Sequence, residues 1–127
     1  MAWNLELTEE VREWLHATRA SDRATSRLVG QAIQTLIEIG PALGRPLVDR
    51  ITGSTLQNMK ELRPGSSGRS EIRILFAFDP RRNAVLLVAG DKAGEWNIWY
   101  EKAIPLTESL FTEWIERLEA SPKEHER

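Results

Sequence analysis

The chain of 127 residues contains no cysteine. Disulfides, thiolate metal sites and a cysteine nucleophile are thereby excluded. Histidine is scarce as well: with only His16 and His125, a histidine-based zinc centre is not expected, and the residues ask for no metal or cofactor. No apolar run approaches the roughly 18 residues of a membrane span. The longest runs, Ile74 to Phe78 and Ala84 to Ala89, are strand-sized. The opening Met1-Ala2-Trp3-Asn4 lacks the basic start and apolar stretch of a secretion signal, so the expected compartment is the cytoplasm.

What is present has ordinary globular proportions. Hydrophobic residues make up 41% and charged residues 28%, which argues against disorder. The length suits one domain over residues 1–120, followed by a polar tail over 121–127 that should fray. The formal charge of −2 is unevenly spread. From Arg45 to Lys92 nine basic residues face five acids, giving +4, so the rest carries −6. Thirteen of the 17 basic residues are arginine, whose planar fork suits phosphate. A basic middle between acidic ends points to an anionic partner, with a solvated mixed-charge surface as the plainer alternative.

Trp3 to Leu7 alternates apolar and polar residues, the pattern of a strand. Thr8 can cap a helix running to about Ala17, with Glu9 and Glu10 in its first turn and Val11, Trp14 and Leu15 on its buried face. A second helix begins near Ser21-Asp22 and carries Leu28, Val29, Ala32, Ile33, Leu36 and Ile37 at helical spacing. Gly40-Pro41 ends it. Residues 42–53 read as a loop with some order, anchored by Leu47, Val48 and Ile51. Strands are expected over 59–63, 72–78 and 84–89. The turn-rich 64–68 forms a flexible hairpin tip, and Asp79 to Asn83 forms a second hairpin loop. The even positions from Ile72 to Phe78 supply one apolar face, which turns Arg73 outward. Beyond the turn at 91–94, a short helix over 95–103 precedes a last helix that Pro105 either opens or kinks. The last helix carries Leu106, Leu110, Phe111, Trp114, Ile115 and Leu118. The sum is an α+β domain: two N-terminal helices and a C-terminal helix packed on one side of a small, twisted, mainly antiparallel sheet.

Three segments carry a resemblance. They are Lys60-Glu61-Leu62-Arg63, Arg73-Ile74-Leu75-Phe76-Ala77-Phe78, and Val88-Ala89-Gly90-Asp91-Lys92 leading to Trp99-Tyr100-Glu101. In order and spacing the chain resembles, over nearly its whole length, the RelE/ParE superfamily of bacterial toxins, and within it the phage-derived, HigB-type branch. That resemblance implies the toxin of a type II toxin–antitoxin system, a metal-free endoribonuclease that cuts messenger RNA on the ribosome by 2′-hydroxyl attack. It also implies a cognate antitoxin, a helix-turn-helix DNA-binding protein. Residue by residue, Arg73 matches the strand arginine that faces the scissile phosphate, and Tyr100 the tyrosine of the C-terminal segment. Lys92 falls at a basic position after the last strand, and Arg63 at a basic position ending the second. Glu61 stands where RelE-like enzymes carry a catalytic lysine, with Lys60 the nearest replacement on the opposite sheet face.

Cleavage by a 2′-hydroxyl needs a base, stabilisation of the phosphorane and a proton for the leaving oxygen. Arg73 suits the second role, and Lys92 can donate the proton or add charge. Asp91 is the local candidate base, with Glu61 as the second, and the resemblance alone adds Tyr100 to the catalytic set. Lys60, Arg63 and Arg69 are candidate RNA contacts. For Arg73 the alternative is a strand-face pairing with Glu61 or Glu71, and for Asp91-Lys92 an ordinary charged turn. Trp3, Trp14, Trp99 and Trp114 belong to the core by pattern, Trp96 stays open, and His16 is a surface residue. Two other functions compete with the nuclease: a ParE-like inhibitor of DNA gyrase acting by protein contacts, and a phage-derived binding protein without chemistry.

Overall fold

A computed structural model describes residues 2–56 and 58–121. Apart from Ser121, the expected polar tail lies outside the described residues. Strand β1 (Asn4–Leu7) ends at Thr8, whose hydroxyl accepts the Val11 N–H at 3.2 Å and opens α1 (Glu9–Ser21). Nothing between residues 18 and 21 breaks a helix, so α1 runs a turn past Ala17. Asp22 stops it and caps α2 (Arg23–Ile39), its Oδ1 accepting the Thr25 N–H at 3.1 Å. Gly40, at φ 76°, closes α2 in a conformation that glycine adopts without strain.

Residues Val48–Arg50 form a strand, β2, where the sequence suggests only a loop. Three residues are too few for alternation to show. Pairing with β3 (Lys60–Leu62) creates the strand. Strands β4 (Ile72–Phe78) and β5 (Asn83–Asp91) complete an open sheet in the order β1-β5-β4-β3-β2. Every neighbouring pair is antiparallel except β1 with β5. A single helix, α3 (Asn97–Ala120), follows. Pro105 lies inside it rather than at a break. The cost of an interior proline, about 3 kcal/mol, is offset because Trp99, Tyr100 and Ala103 before it and Leu110, Phe111 and Trp114 after it pack on the same sheet face.

The helices do not share one side of the sheet. Helices α1 and α2 cover Ile72, Ile74, Phe76, Ala84 and Leu86. Helix α3 covers the other face, over Leu75, Ala77, Val85, Leu87 and Val88. Both faces of β4 and β5 are therefore covered, and Arg73 is turned beneath α3 instead of into solvent, its side chain only 13% exposed. Two residues assigned to helix stripes, Leu28 and Leu106, remain at the surface.

A β-bulge sets the side-chain phase at the end of β5. Leu75 pairs with Val88 and Phe76 with Leu86, so Leu87 is the extra residue. Its carbonyl is satisfied from outside the ladder by the Thr8 hydroxyl, 2.7 Å away. Because of the bulge, Leu87 and Val88 both face α3, and alternation beyond them is reversed. Gly90 and Lys92 thus share the face of Arg73, while Asp91 opposes Ile72 on the other. A Cβ on Gly90 would meet Trp99 Nε1 at 2.6 Å, so glycine is what lets α3 approach.

The hairpin tip at 65–70 is also fastened rather than flexible. Ser67 donates to Asp22 Oδ2 at 2.6 Å and its N–H to Thr25 Oγ1 at 2.9 Å, tying the tip to the start of α2. Among the described residues, no helix is long and apolar enough to cross a membrane.

Candidate active site

The α3-facing side of β2, β3 and β4 gathers Asp49, directly opposite Glu61, with Arg63 just past the end of β3 and Arg73 on β4. Glu61 is at the centre, 2% exposed. Its Oε2 accepts two bonds from Arg63, from Nε at 3.0 Å and Nη2 at 2.8 Å. Its Oε1 accepts the Tyr100 hydroxyl at 2.6 Å and lies 3.8 Å from Arg73 Nε. Arg63 also reaches Asp49 at 3.4 Å, and Arg45 approaches the same carboxylate oxygen at 3.2 Å. The Arg50 N–H and the Arg45 guanidinium hold the Asp49 carboxyl below its usual range.

Arg73 is held by its surroundings. Its Nη1 donates to the Ile72 carbonyl at 2.8 Å and its Nη2 to Glu71 at 3.4 Å. Its Nε is buried with no hydrogen-bond partner. The pairing with Glu61 and Glu71, the alternative role for this arginine, is present in a nearly dry setting.

Above this layer an open cleft of about 770 Å³ separates β2 and β3 from α3. Arg63, Lys92 and Tyr100 line it, with Arg45 and Asp49 toward one side and Glu108 at the far wall. Glu108 Oε2 accepts from Ser54 Oγ, the Thr55 N–H and Thr55 Oγ1 at 2.9, 2.7 and 3.0 Å, fastening the 52–56 loop to α3. Those donors, the Thr55 N–H foremost, pull the Glu108 carboxyl below its ordinary value.

Lys92 is the cleft's distinctive cation. It is only 9% exposed and makes no ion pair among the described residues. Its ammonium lies 4.9 Å from the Trp96 ring centre and 5.3 Å from that of Tyr100. Burial, and then the positive charge of Arg73, lower its pKa. Tyr100 is shifted the other way: burial first, then its bond to Glu61, push the phenol up to about 12. At neutral pH it is a hydrogen-bond donor, not a base.

The remaining candidates lie elsewhere. Asp91 is not among the cleft residues. Its Oδ1 accepts the Glu71 and Ala93 N–H groups at 2.8 and 2.9 Å, so the carboxylate organises a turn on the reversed side of β5. Lys60 faces the α1–α2 side, with Nζ 3.4 Å from the Pro41 carbonyl and over the Phe78 ring. Arg69 is exposed on the hairpin tip. Of the three expected RNA contacts, only Arg63 lines the cleft. Arg81, on the second hairpin loop, donates to the Leu118 and Ser121 carbonyls and so caps α3. Asp49 and Glu108 give no signal in the sequence; they carry no motif and acquire a role only through pairing across the fold. Among the described residues, no group of three or more His, Cys, Asp or Glu side chains could hold a metal ion.

An open five-stranded sheet with a helical pair on one face, and a C-terminal helix over a cluster of arginine, lysine and tyrosine on the other, defines a RelE-like domain. The unbound, doubly substituted Escherichia coli toxin RelE superposes with a TM-score of 0.56 over 83% of this chain and 97% of its own. At 17% identity that likeness concerns the fold alone. Residues 13–112 match the family of phage-derived Gp49-like proteins. Two Mycobacterium tuberculosis proteins named as candidate toxins are similar in sequence. HigB2 is 49% identical over the whole of this chain, which spans 62% of that protein's length. HigB3 is 46% identical over 86% of this chain and 90% of its own length. The chain belongs to the Gp49-like family of phage-derived proteins and, within it, groups with the HigB-type relatives.

Proposed function

We propose that this chain is the toxin of a type II toxin–antitoxin pair and that it cleaves messenger RNA on the ribosome. The observation that carries the reading is Lys92: a buried ammonium with no ion pair among the described residues, lining an open cleft with Arg63 and Tyr100. A lysine whose pKa is lowered gives up its proton more readily than an ordinary one, which suits a general acid. In the proposed reaction the 2′-oxygen bonds to the adjacent phosphorus and the bond to the 5′-oxygen breaks. The products are a 2′,3′-cyclic phosphate and a 5′-hydroxyl. Lys92 gives its proton to the departing 5′-oxygen, and the 2′-hydroxyl loses its own to solvent in the open cleft. Arg63 grips the phosphate, and Arg73 adds positive charge from beneath as the phosphorane forms. Glu61 is a positioning residue that aims Arg63 and Tyr100; Asp91, committed to its turn, takes no part.

The names of the HigB relatives and the RelE-like fold support the toxin assignment. The matching antitoxin, of the helix-turn-helix type, covers the cleft with an acidic or apolar segment. Induced expression followed by mapping of message 5′ ends tests the reading. Codon-phased cuts are expected with the wild type and with Arg12→Ala, an exposed helix residue far from the cleft. Lys92→Met should lower cutting by about 10²–10³-fold. Growth arrest without such cuts would make the protein a non-enzymatic inhibitor, a reading favoured by the four cations and four carboxylates that balance around the cleft.

A further inference from the structure

Trp96 is held in a way that its packing does not explain. Its backbone sits at φ 45°, ψ −117°, just before α3, a conformation suited to glycine and strained for a bulky side chain. The residue makes no side-chain cap for the helix, and it is 56% exposed. Burial therefore returns little for the strain. The turn beneath is well tied, because the Glu95 and Trp96 N–H groups both donate to the Lys92 carbonyl at 2.9 Å. The same Lys92 sends its ammonium to the indole, 4.9 Å from the ring centre. Lys92 and the residue after the indole, Asn97, both line the cleft. Main chain and side chain of one cleft-lining lysine thus fix a largely exposed indole next to the cleft.

We propose that Trp96 is a stacking platform for an unpaired RNA base, seated beside the phosphate held by Arg63 and Lys92. This rests on the nuclease reading and deepens it by assigning the neighbouring nucleotide a place. Every base has a π-face, so a platform of this kind tolerates sequence while fixing position. The cation against the indole adds a charge for the phosphate next to the stacked base. Ile98, 58% exposed, extends the apolar surface by one side chain. A single exposed ring with a cation against it suits a nucleotide better than a protein segment, which needs a broad apolar patch.

The test measures binding of the purified full chain to a labelled single-stranded oligoribonucleotide, and to the same strand made abasic. Trp96→Gly should bind the intact strand on the order of tenfold more weakly, while Trp96→Phe, which keeps a ring, should retain most of the affinity. Arg12→Ala should match the wild type. Removing the bases should weaken the wild type by a similar factor yet leave Trp96→Gly unchanged, because the two losses concern one contact. The melting temperature of Trp96→Gly should equal or exceed that of the wild type, since glycine relieves the backbone. Unchanged affinity in Trp96→Gly, with message cleavage intact, would overturn the platform and leave the nuclease standing. A wild-type chain that neither binds RNA nor cuts messages would overturn both. Loss of antitoxin binding with RNA binding retained would make the ring a protein contact, and a marked drop in melting temperature would make it structural; either result overturns the proposal.

Discussion

Replacing Glu61 by glutamine should lower the pKa of Tyr100, and the chain offers a clean way to see it. Tyr100 is its one tyrosine, so the near-ultraviolet absorbance of tyrosinate reports this group alone. In the wild type the phenol should be half-ionised at about 12, against an ordinary value of 10.0. Burial is the largest single cause of the rise. The hydrogen bond and the negative charge of Glu61 supply the next two contributions, and Arg73 opposes them. Glutamine nearly preserves shape and a hydrogen bond but removes the charge. The midpoint should fall by about one unit, equivalent to roughly 1.4 kcal/mol between the two protonation states. Because the folded pKa is raised, Tyr100 contributes stability below pH 10 that is lost as the pH climbs toward 12. Loss of the buried charge should also cost about 3 kcal/mol, at the lower end for breaking a buried pair, because Arg63 is 36% exposed and can lean on Asp49. The titration should be followed together with far-ultraviolet circular dichroism, so that ionisation of the folded chain is separated from unfolding. A wild-type midpoint near 10 in folded protein, or no change in folded Glu61→Gln, would refute the Tyr100–Glu61 coupling.

Other perturbations test the rest of the framework. Phe76→Ala removes a fully buried ring from the centre of β4 and should cost about 3–5 kcal/mol in chemical denaturation; a negligible shift would contradict the face assignment. Gly90→Ala should destabilise and blue- or red-shift the fluorescence of Trp99, since the new methyl group collides with its indole; wild-type spectra and stability would mean that α3 does not press on β5. For Lys92 the sign is opposite to that of Tyr100. Its lowered folded pKa means that the folded chain binds fewer protons than the unfolded one just below pH 10.5, so this group's contribution to stability rises with pH in that window. Lys92→Met should therefore be at least as stable as the wild type at neutral pH while losing cleavage, and a severe loss of stability would assign Lys92 a structural role instead.

The local signals in the sequence were enough for the caps at Thr8 and Asp22, the stop at Gly40, the alternating strand 72–78 and the apolar strand 84–89, because each rests on near neighbours in the chain. The α+β class follows from their order. Strand β2 was hidden because three residues become a strand only when β3 pairs with them. The unbroken α3 was hidden because the packing that outweighs an interior proline comes from a sheet face distant in sequence. The site shows the same division. Arg73 could be assigned to the face opposite Ile72 and Ile74, but not to the interior, since alternation says nothing of what covers that face. Asp91 and Lys92 are adjacent in sequence, and pattern alone could not choose between them. The extra residue at Leu87 reverses the side-chain phase of β5. With that reversal Lys92 enters the cleft beside Tyr100 and Asp91 turns away to bind backbone N–H groups. Composition supplied the charged residues, but the pairing of two strands decided which of them meet.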